Sequence, residues 1–102
     1  MKAQDLLKRI TSQTAPTIVD VRSGGEFQDG HIPGSIHAPA WKIPLRLTEI
    51  PADKDAELVV ICEHGPRAQM AKSLLETLGY RNVDLLDGHM SAWRRSGHPQ
   101  EK

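Results

Sequence analysis

An apolar run of β-branched residues leads directly into the only cysteine of this chain. The run 58–61 predicts a buried strand, and amphipathic spacing predicts a helix over 67–78. Cys62 therefore lies where a strand ends and a helix begins, and there unpaired backbone N–H groups and the helix dipole favour negative charge. A thiol in that position is biased toward the nucleophilic thiolate. The alternative is that Cys62 is a small apolar residue of the core.

Strand and helix signals alternate along the rest of the chain. Strands are predicted at 17–21, 36–38, 58–61 and 82–86, and helices at 3–10, 23–30, 67–78 and 90–96. The segment 41–50 is ambiguous because Pro44 and Pro51 limit any helix to short pieces. Alternation of this kind predicts an α/β fold with a parallel sheet covered by helices on both faces. In such sheets the ligand crevice lies beyond the carboxyl ends of the strands, where Cys62, 20–22 and 87–88 converge.

Length and charge exclude several classes of protein. A chain of 102 residues predicts one domain, 1–102. Thirteen basic and thirteen acidic side chains cancel, so we expect neither a nucleic-acid nor a membrane partner. The start of the chain has no signal-peptide pattern. A single cysteine forms no internal disulfide, which favours a reducing, cytoplasmic location.

The loop after Cys62 contains residues suited to an anion. Arg67 follows with four residues between, and its guanidinium is expected to hold an oxyanion and to favour the thiolate. Gly65 suits a loop that curls around a central atom. Pro66 removes one N–H from that loop and presets the start of the helix.

Other polar residues are assigned from their positions alone. His64 either hydrogen-bonds an incoming group or lies solvated at the rim. Glu63 opposes ionisation of a neighbouring thiol, so we expect it to face solvent. Asp20 is expected to accept from loop amides, and Arg22 to pair with Glu26.

The histidines suggest no metal site. They are scattered over positions 31, 37, 64, 89 and 98, and no Cys/His cluster has metal-ligand spacing. A Cys–His dyad through His31 or His37 stays open, although spacing gives it no support.

Three motifs in order resemble a known family, the single-domain rhodanese-like sulfurtransferases. They are IVDVRSGGEFQDGHIPGSIHAP at 18–39, CEHGPRA from position 62, and LLDGHMSAWRRSGHP at 85–99. The resemblance covers nearly the whole chain. It implies a three-layer domain with a central parallel sheet of four to five strands and helices on both faces.

The resemblance also implies a double-displacement mechanism. Cys62 attacks a donor such as thiosulfate, forms a persulfide, and passes the sulfur to cyanide, a thiol or a partner protein. No metal or organic cofactor is implied. The substrate-binding residues implied are Glu63, His64, Gly65, Pro66 and Arg67. The supporting residues implied around them are Asp20, Arg22, Glu26, His31, Asp87 and Gly88.

This chain departs from the family pattern in three places. His89 replaces a glycine usual after 87–88, so that turn is either narrowed or offers a side chain to the pocket. Glu63 is expected to weaken affinity for a dianionic donor. The family's first strand has no clear counterpart before position 3. Separately, Trp41 and Ile43 are candidates for a contact patch.

Two alternative functions remain. Phosphatases and arsenate reductases of related fold use a Cys-x5-Arg loop, whereas Cys62 to Arg67 is Cys-x4-Arg, a tighter ring suited to a single sulfur atom. A non-catalytic recognition module of the same family is the other alternative. Members of that kind often lack the cysteine that this chain has.

Overall fold

A four-stranded parallel sheet forms the centre of the molecule in the computed structural model, which describes residues 1–102. Its strands are β1 (Thr17–Asp20), β2 (Ile36–His37), β3 (Leu58–Ile61) and β4 (Val83–Leu85), in the order β2-β1-β3-β4. Asp20 is in register with Ile61 on one side and with His37 on the other, so these strands end together at one edge. The predicted parallel sheet is confirmed, with four strands and not five.

Helices connect the strands as the pattern predicts. They are α1 (Ala3–Thr11), α2 (Gly24–Asp29), α3 (Pro66–Thr77) and α4 (His89–Arg95). In the ambiguous segment, a short 3₁₀ helix at Ala40–Lys42 is followed by turns. A capping box begins α2, because the Glu26 N–H donates to Ser23 Oγ while the Ser23 N–H donates to the Glu26 carboxylate.

Apolar side chains fill a core on each face of the sheet. Residues of β3 alternate between the two faces, since successive side chains of a strand point to opposite sides. Val60 and Cys62 pack with Leu75 of α3, whereas Ile61 packs on the other face with Trp93 of α4. Every residue of β3 is fully buried, which explains why its sequence is apolar without interruption.

The predicted contact patch at Trp41 and Ile43 is wrong for one of its two members. Ile43 is 3% exposed and belongs to the core beside α3, while Trp41 is 64% exposed. The segment turns its isoleucine inward because α3 offers an apolar surface there. None of the helices is long and apolar enough to cross a membrane.

Candidate active site

Cys62 lies immediately after β3, and its sulfur accepts a hydrogen bond from the loop that follows. The Gly65 N–H donates to Cys62 Sγ at 2.9 Å, and the side chain is buried. Gly65 has a φ of 125°, a backbone conformation that residues other than glycine rarely adopt. A hydrogen bond donated to sulfur stabilises negative charge on it. The predicted role of Gly65, to let the loop curl around the sulfur, agrees with this geometry.

The loop leaves several backbone donors without an acceptor. The N–H groups of Glu63 and His64 donate to no atom of the chain, and neither do those of Arg67 and Ala68 in the first turn of α3. Pro66 occupies the first helical position and has no N–H to offer. Unpaired amides at a helix N-terminus form a favourable environment for an anion.

The side chain of His89, to which the sequence analysis assigned no role in the site, binds the backbone of the Cys62 loop. The Cys62 N–H donates to His89 Nδ1 at 3.2 Å, and His89 is buried. Burial lowers the pKa of His89, an effect that Asp87 opposes and His64 reinforces. The signal in the sequence was the departure at position 89 from the family's second glycine, which left open whether a side chain is offered to the pocket; in the structure that side chain binds the backbone of Cys62.

The first turn of α4 is also bonded to the loop. The Met90 N–H donates to the Cys62 carbonyl oxygen at 3.0 Å, and the Ser91 N–H to the Glu63 carbonyl oxygen at 3.1 Å. Gly88, which precedes α4, has a φ of 74°, and a Cβ there would lie 2.4 Å from Ala92 Cβ. Gly88 therefore supports the site by allowing α4 to begin against the loop.

The expectation that Glu63 faces solvent is wrong. Its side chain is 20% exposed and accepts from Arg94 Nη1 at 2.8 Å and from Arg22 Nη1 at 3.3 Å. The hydrogen bond from Arg94 holds the pKa of Glu63 below its usual value, and the charge of Arg22 adds to this. Two arginines from distant parts of the chain thus neutralise the carboxylate next to Cys62.

The expected pairing of Arg22 with Glu26 is also wrong. Arg22 is 1% exposed and binds the fully buried Asp20, with Nη2 to Oδ2 at 2.8 Å. Arg22 Nη2 also donates to the Gly30 carbonyl oxygen at 2.8 Å. Asp20 accepts from the backbone N–H of Arg22 at 3.0 Å, so the only amide it binds is outside the Cys62 loop. The pair is buried beneath the loop as a structural ion pair.

Glu26 pairs instead with Arg67. The two hydrogen bonds are Arg67 Nη1 to Glu26 Oε1 at 2.7 Å and Nη2 to Oε2 at 3.0 Å. These bonds, together with the hydrogen bonds from Ser23, lower the pKa of Glu26 from 4.5 to about 2, and burial opposes this shift. Arg67 makes no hydrogen bond to Cys62, so the predicted oxyanion-binding guanidinium is engaged by a carboxylate of the chain itself.

The remaining predicted residues lie around this centre without bonding to Cys62. His31 Nδ1 donates to the Phe27 carbonyl oxygen at 2.8 Å, with its ring stacked on Phe27. His64 and Asp87 are exposed. His37 Nε2 donates to the carbonyl oxygen of Arg22, so neither His31 nor His37 forms a hydrogen-bonded dyad with Cys62. No group of three or more His, Cys, Asp or Glu side chains is arranged to hold a metal ion.

A groove of about 420 Å³ opens beside Arg67. Its lining includes Arg67, Ser23 and Trp41. Trp41 is among the most exposed apolar side chains of the molecule, together with Met70, which follows Arg67 by one turn of α3. The groove therefore combines a cation with apolar surface next to the loop that carries the thiol.

Comparison with known proteins shows the family of this chain. A family model for the rhodanese-like domain matches residues 2–96. A protein of Allochromatium vinosum named sulfurtransferase is 35% identical over 95% of this chain and 89% of its own length. One of Pseudomonas syringae named thiosulfate sulfurtransferase GlpE is 39% identical over 82% of this chain and 76% of its own length. The crystal structure of a rhodanese-related protein from Thermoplasma volcanium, 33% identical, superposes with a TM-score of 0.81, covering 99% of this chain and 95% of that one.

Proposed function

Because this chain belongs to the rhodanese-like family and is an enzyme of the thiosulfate sulfurtransferase type, we propose that Cys62 carries the transferred sulfur as a persulfide. The relatives named as thiosulfate sulfurtransferases are similar over most of the chain. The observation that carries the proposal is the hydrogen bond from the Gly65 N–H to Cys62 Sγ at 2.9 Å, inside a loop with unpaired amides.

The first half-reaction is nucleophilic displacement at sulfur. The Cys62 thiolate attacks the outer sulfur of thiosulfate, the sulfur–sulfur bond of the donor breaks, and sulfite leaves with the bonding pair. The negative charge then lies on the outer sulfur of a Cys62 persulfide. The unpaired amides of Glu63, His64, Arg67 and Ala68 are free to donate to an anion bound at the loop, which a neutral thiol is not.

The second half-reaction returns the enzyme to its starting state. A thiophilic acceptor, either cyanide or a thiolate, attacks the outer sulfur, and the Cys62 thiolate leaves. Cyanide gives thiocyanate, and a thiolate gives a new persulfide. The residues Glu63 to Arg67 bind donor and acceptor, while Asp20, Arg22, Glu26, His31, Asp87 and Gly88 keep the loop in place.

The reaction also requires a sulfur carrier, a donor, an acceptor and a compartment that keeps the thiol reduced. We infer that the sulfur carrier is the thiol itself and that the enzyme needs no metal or organic cofactor. Donor and acceptor are small molecules, or the acceptor is a protein whose thiol reaches the groove beside Trp41. A free, unpaired cysteine is suited to a reducing compartment, which favours the cytoplasm.

Intact-mass measurement after treatment with thiosulfate tests the proposal. We expect a mass increase of one sulfur atom, which cyanide removes as thiocyanate. The Cys62→Ser variant is the control and must gain no mass, because the chain has no other cysteine. Failure of the unmodified protein to gain sulfur from thiosulfate and from a persulfide donor would show that Cys62 is not a sulfur carrier. Hydrolysis of an aryl phosphate under the same conditions would favour the phosphatase alternative.

A further inference from the structure

The imidazole of His89 supports both ends of the turn that holds the sulfur. Nδ1 accepts the Cys62 N–H at 3.2 Å, and a Cβ built on Gly65 would lie 3.3 Å from Nε2. Gly65 is in turn the residue whose N–H donates to Cys62 Sγ. One ring therefore binds the residue that carries the sulfur and lies beside the residue that donates to it.

The Cys62 N–H depends on this side chain for its acceptor. The last ladder bond between β1 and the end of β3 is the Val21 N–H to the Ile61 carbonyl oxygen. Cys62 lies beyond that bond, is 1% exposed, and its N–H has no backbone acceptor. Leaving a buried N–H without a partner is strongly unfavourable, so the position of Cys62 is tied to that of Nδ1.

The backbone of His89 adopts a conformation that is itself unfavourable. Its φ is 52°, in the left-handed region that residues other than glycine seldom occupy. Such a conformation persists where surrounding contacts hold it, and Gln13 and Arg46 adopt similar φ values elsewhere in the chain. Here the contact is the hydrogen bond from Cys62, and the ring lies close enough to Gly65 that any side chain larger than hydrogen there would be crowded.

We propose that His89 is a positioning residue for sulfur transfer, whose neutral imidazole holds the Cys62 loop so that the Gly65 N–H points at the sulfur. This inference rests on the proposed function, since it concerns the same loop. Nδ1 must be unprotonated to accept the Cys62 N–H, so the ring proton is on Nε2. When acid adds a proton to Nδ1, two N–H donors face each other and the turn loses its support.

The surroundings of the ring favour the neutral form near pH 7. The elements against it are the Cys62 loop, which brings Cys62 and His64, and the turn before α4, which brings Asp87. Burial is the largest influence and lowers the pKa of His89; His64 acts in the same direction, and Asp87 opposes both. The acceptor role is therefore available at neutral pH and is lost on acidification below the ordinary value of 6.5.

A nuclear magnetic resonance titration of the free protein tests the contact directly. We expect the ¹⁵N shifts of His89 to identify the Nε2–H tautomer. The Cys62 amide is expected to shift with the same midpoint as His89, below pH 6.5. In His89→Asn, whose side-chain oxygen accepts without titrating, the Cys62 amide must show no such inflection. An Nδ1–H tautomer, or a Cys62 amide that ignores the titration of His89, would overturn the proposal.

The rate of persulfide formation from thiosulfate tests the consequence. His89→Phe keeps a ring but removes the acceptor, and we expect a rate about tenfold lower with unchanged donor affinity, whereas His89→Asn stays within about threefold of the unmodified protein. Equal rates in His89→Phe and the unmodified protein refute the positioning role. If the amide titrates as expected but no form of the protein accepts sulfur, the proposed function fails and the contact stands.

Discussion

Glu26 and Arg67 form a bidentate ion pair between the first turn of α2 and the first turn of α3, with N···O distances of 2.7 and 3.0 Å. Arg67 is the cation that closes the Cys-x4-Arg loop, and the pair engages both of its terminal nitrogens. An anionic sulfur donor that approaches Cys62 must therefore compete with a carboxylate of the protein for the same guanidinium. The ion pair therefore reduces the positive charge that Arg67 presents to the donor.

Glu26→Gln is expected to improve the binding of an anionic donor. The change releases Arg67 from a partly exposed ion pair, which is worth about 0.3–1 kcal/mol, so the KM for thiosulfate should fall about two- to fivefold. Steady-state kinetics with thiosulfate, a dianion, and with a singly charged persulfide donor measure the effect, and the KM for thiosulfate should fall more than the KM for the persulfide. Glu57→Gln is the matched control, because Glu57 makes the same kind of pair with Arg9 away from the loop. A KM for thiosulfate that rises in Glu26→Gln contradicts the competition.

The same pair predicts how stability depends on acid. The pKa of Glu26 falls from 4.5 to about 2 in the folded protein, so the folded state binds fewer protons than the unfolded state between these values. Its contribution to stability is complete above pH 4.5 and is lost as the pH falls toward 2. Urea unfolding at a series of pH values should show that the free energy of unfolding falls less steeply with acid in Glu26→Gln than in the unmodified protein. Identical slopes in the two proteins would mean that the ion pair does not form in solution.

Arg22→Met is expected to destabilise the fold strongly. It leaves the fully buried Asp20 without its counter-charge, which typically costs about 3–5 kcal/mol. Urea unfolding measures the loss of free energy. The control is Arg81→Met, which breaks the exposed pair with Asp55 and should change the free energy of unfolding far less, because solvent screens that pair. Adding Asp20→Asn to Arg22→Met should recover part of the loss, since the unpaired charge is then gone.

Gly88→Ala is expected to disturb the start of α4. The new Cβ would lie 2.4 Å from Ala92 Cβ at a φ of 74°, so steric overlap adds to backbone strain. Gly34→Ala is the matched control, with a φ of 81° and nothing within 4 Å of the new Cβ. Thermal unfolding should show a larger decrease in Tm for Gly88→Ala, and a second change, Ala92→Gly, should restore most of the difference. Equal decreases in both single variants would show that the backbone conformation alone matters.

Local chemistry allowed the elements to be placed from sequence. The uninterrupted apolar run 58–61 is buried on both faces, as a central parallel strand requires, and Ser23 caps α2 through a capping box with Glu26. The position of Cys62 at the end of that strand follows from the same pattern. Each of these features depends on residues within a few positions of one another, so hydrophobic periodicity and capping rules suffice to predict them.

The partners of the polar side chains could not be obtained in this way. Glu26 and Arg67 are separated by 41 positions, and Cys62 and His89 by 27. Sequence reasoning paired Arg22 with its nearest carboxylate in the following helix, yet the buried Arg22 binds Asp20, and Glu26 reaches across to α3.

The sequence by itself therefore determined the strand, the thiol at its end and the loop that follows. The tertiary structure decided the rest. The strand order β2-β1-β3-β4 and the packing of α4 against the loop determine which carboxylate each arginine binds, and that His89 Nδ1 accepts the Cys62 N–H. Those choices follow from desolvation and distance in the packed molecule, and neither quantity exists before the chain folds.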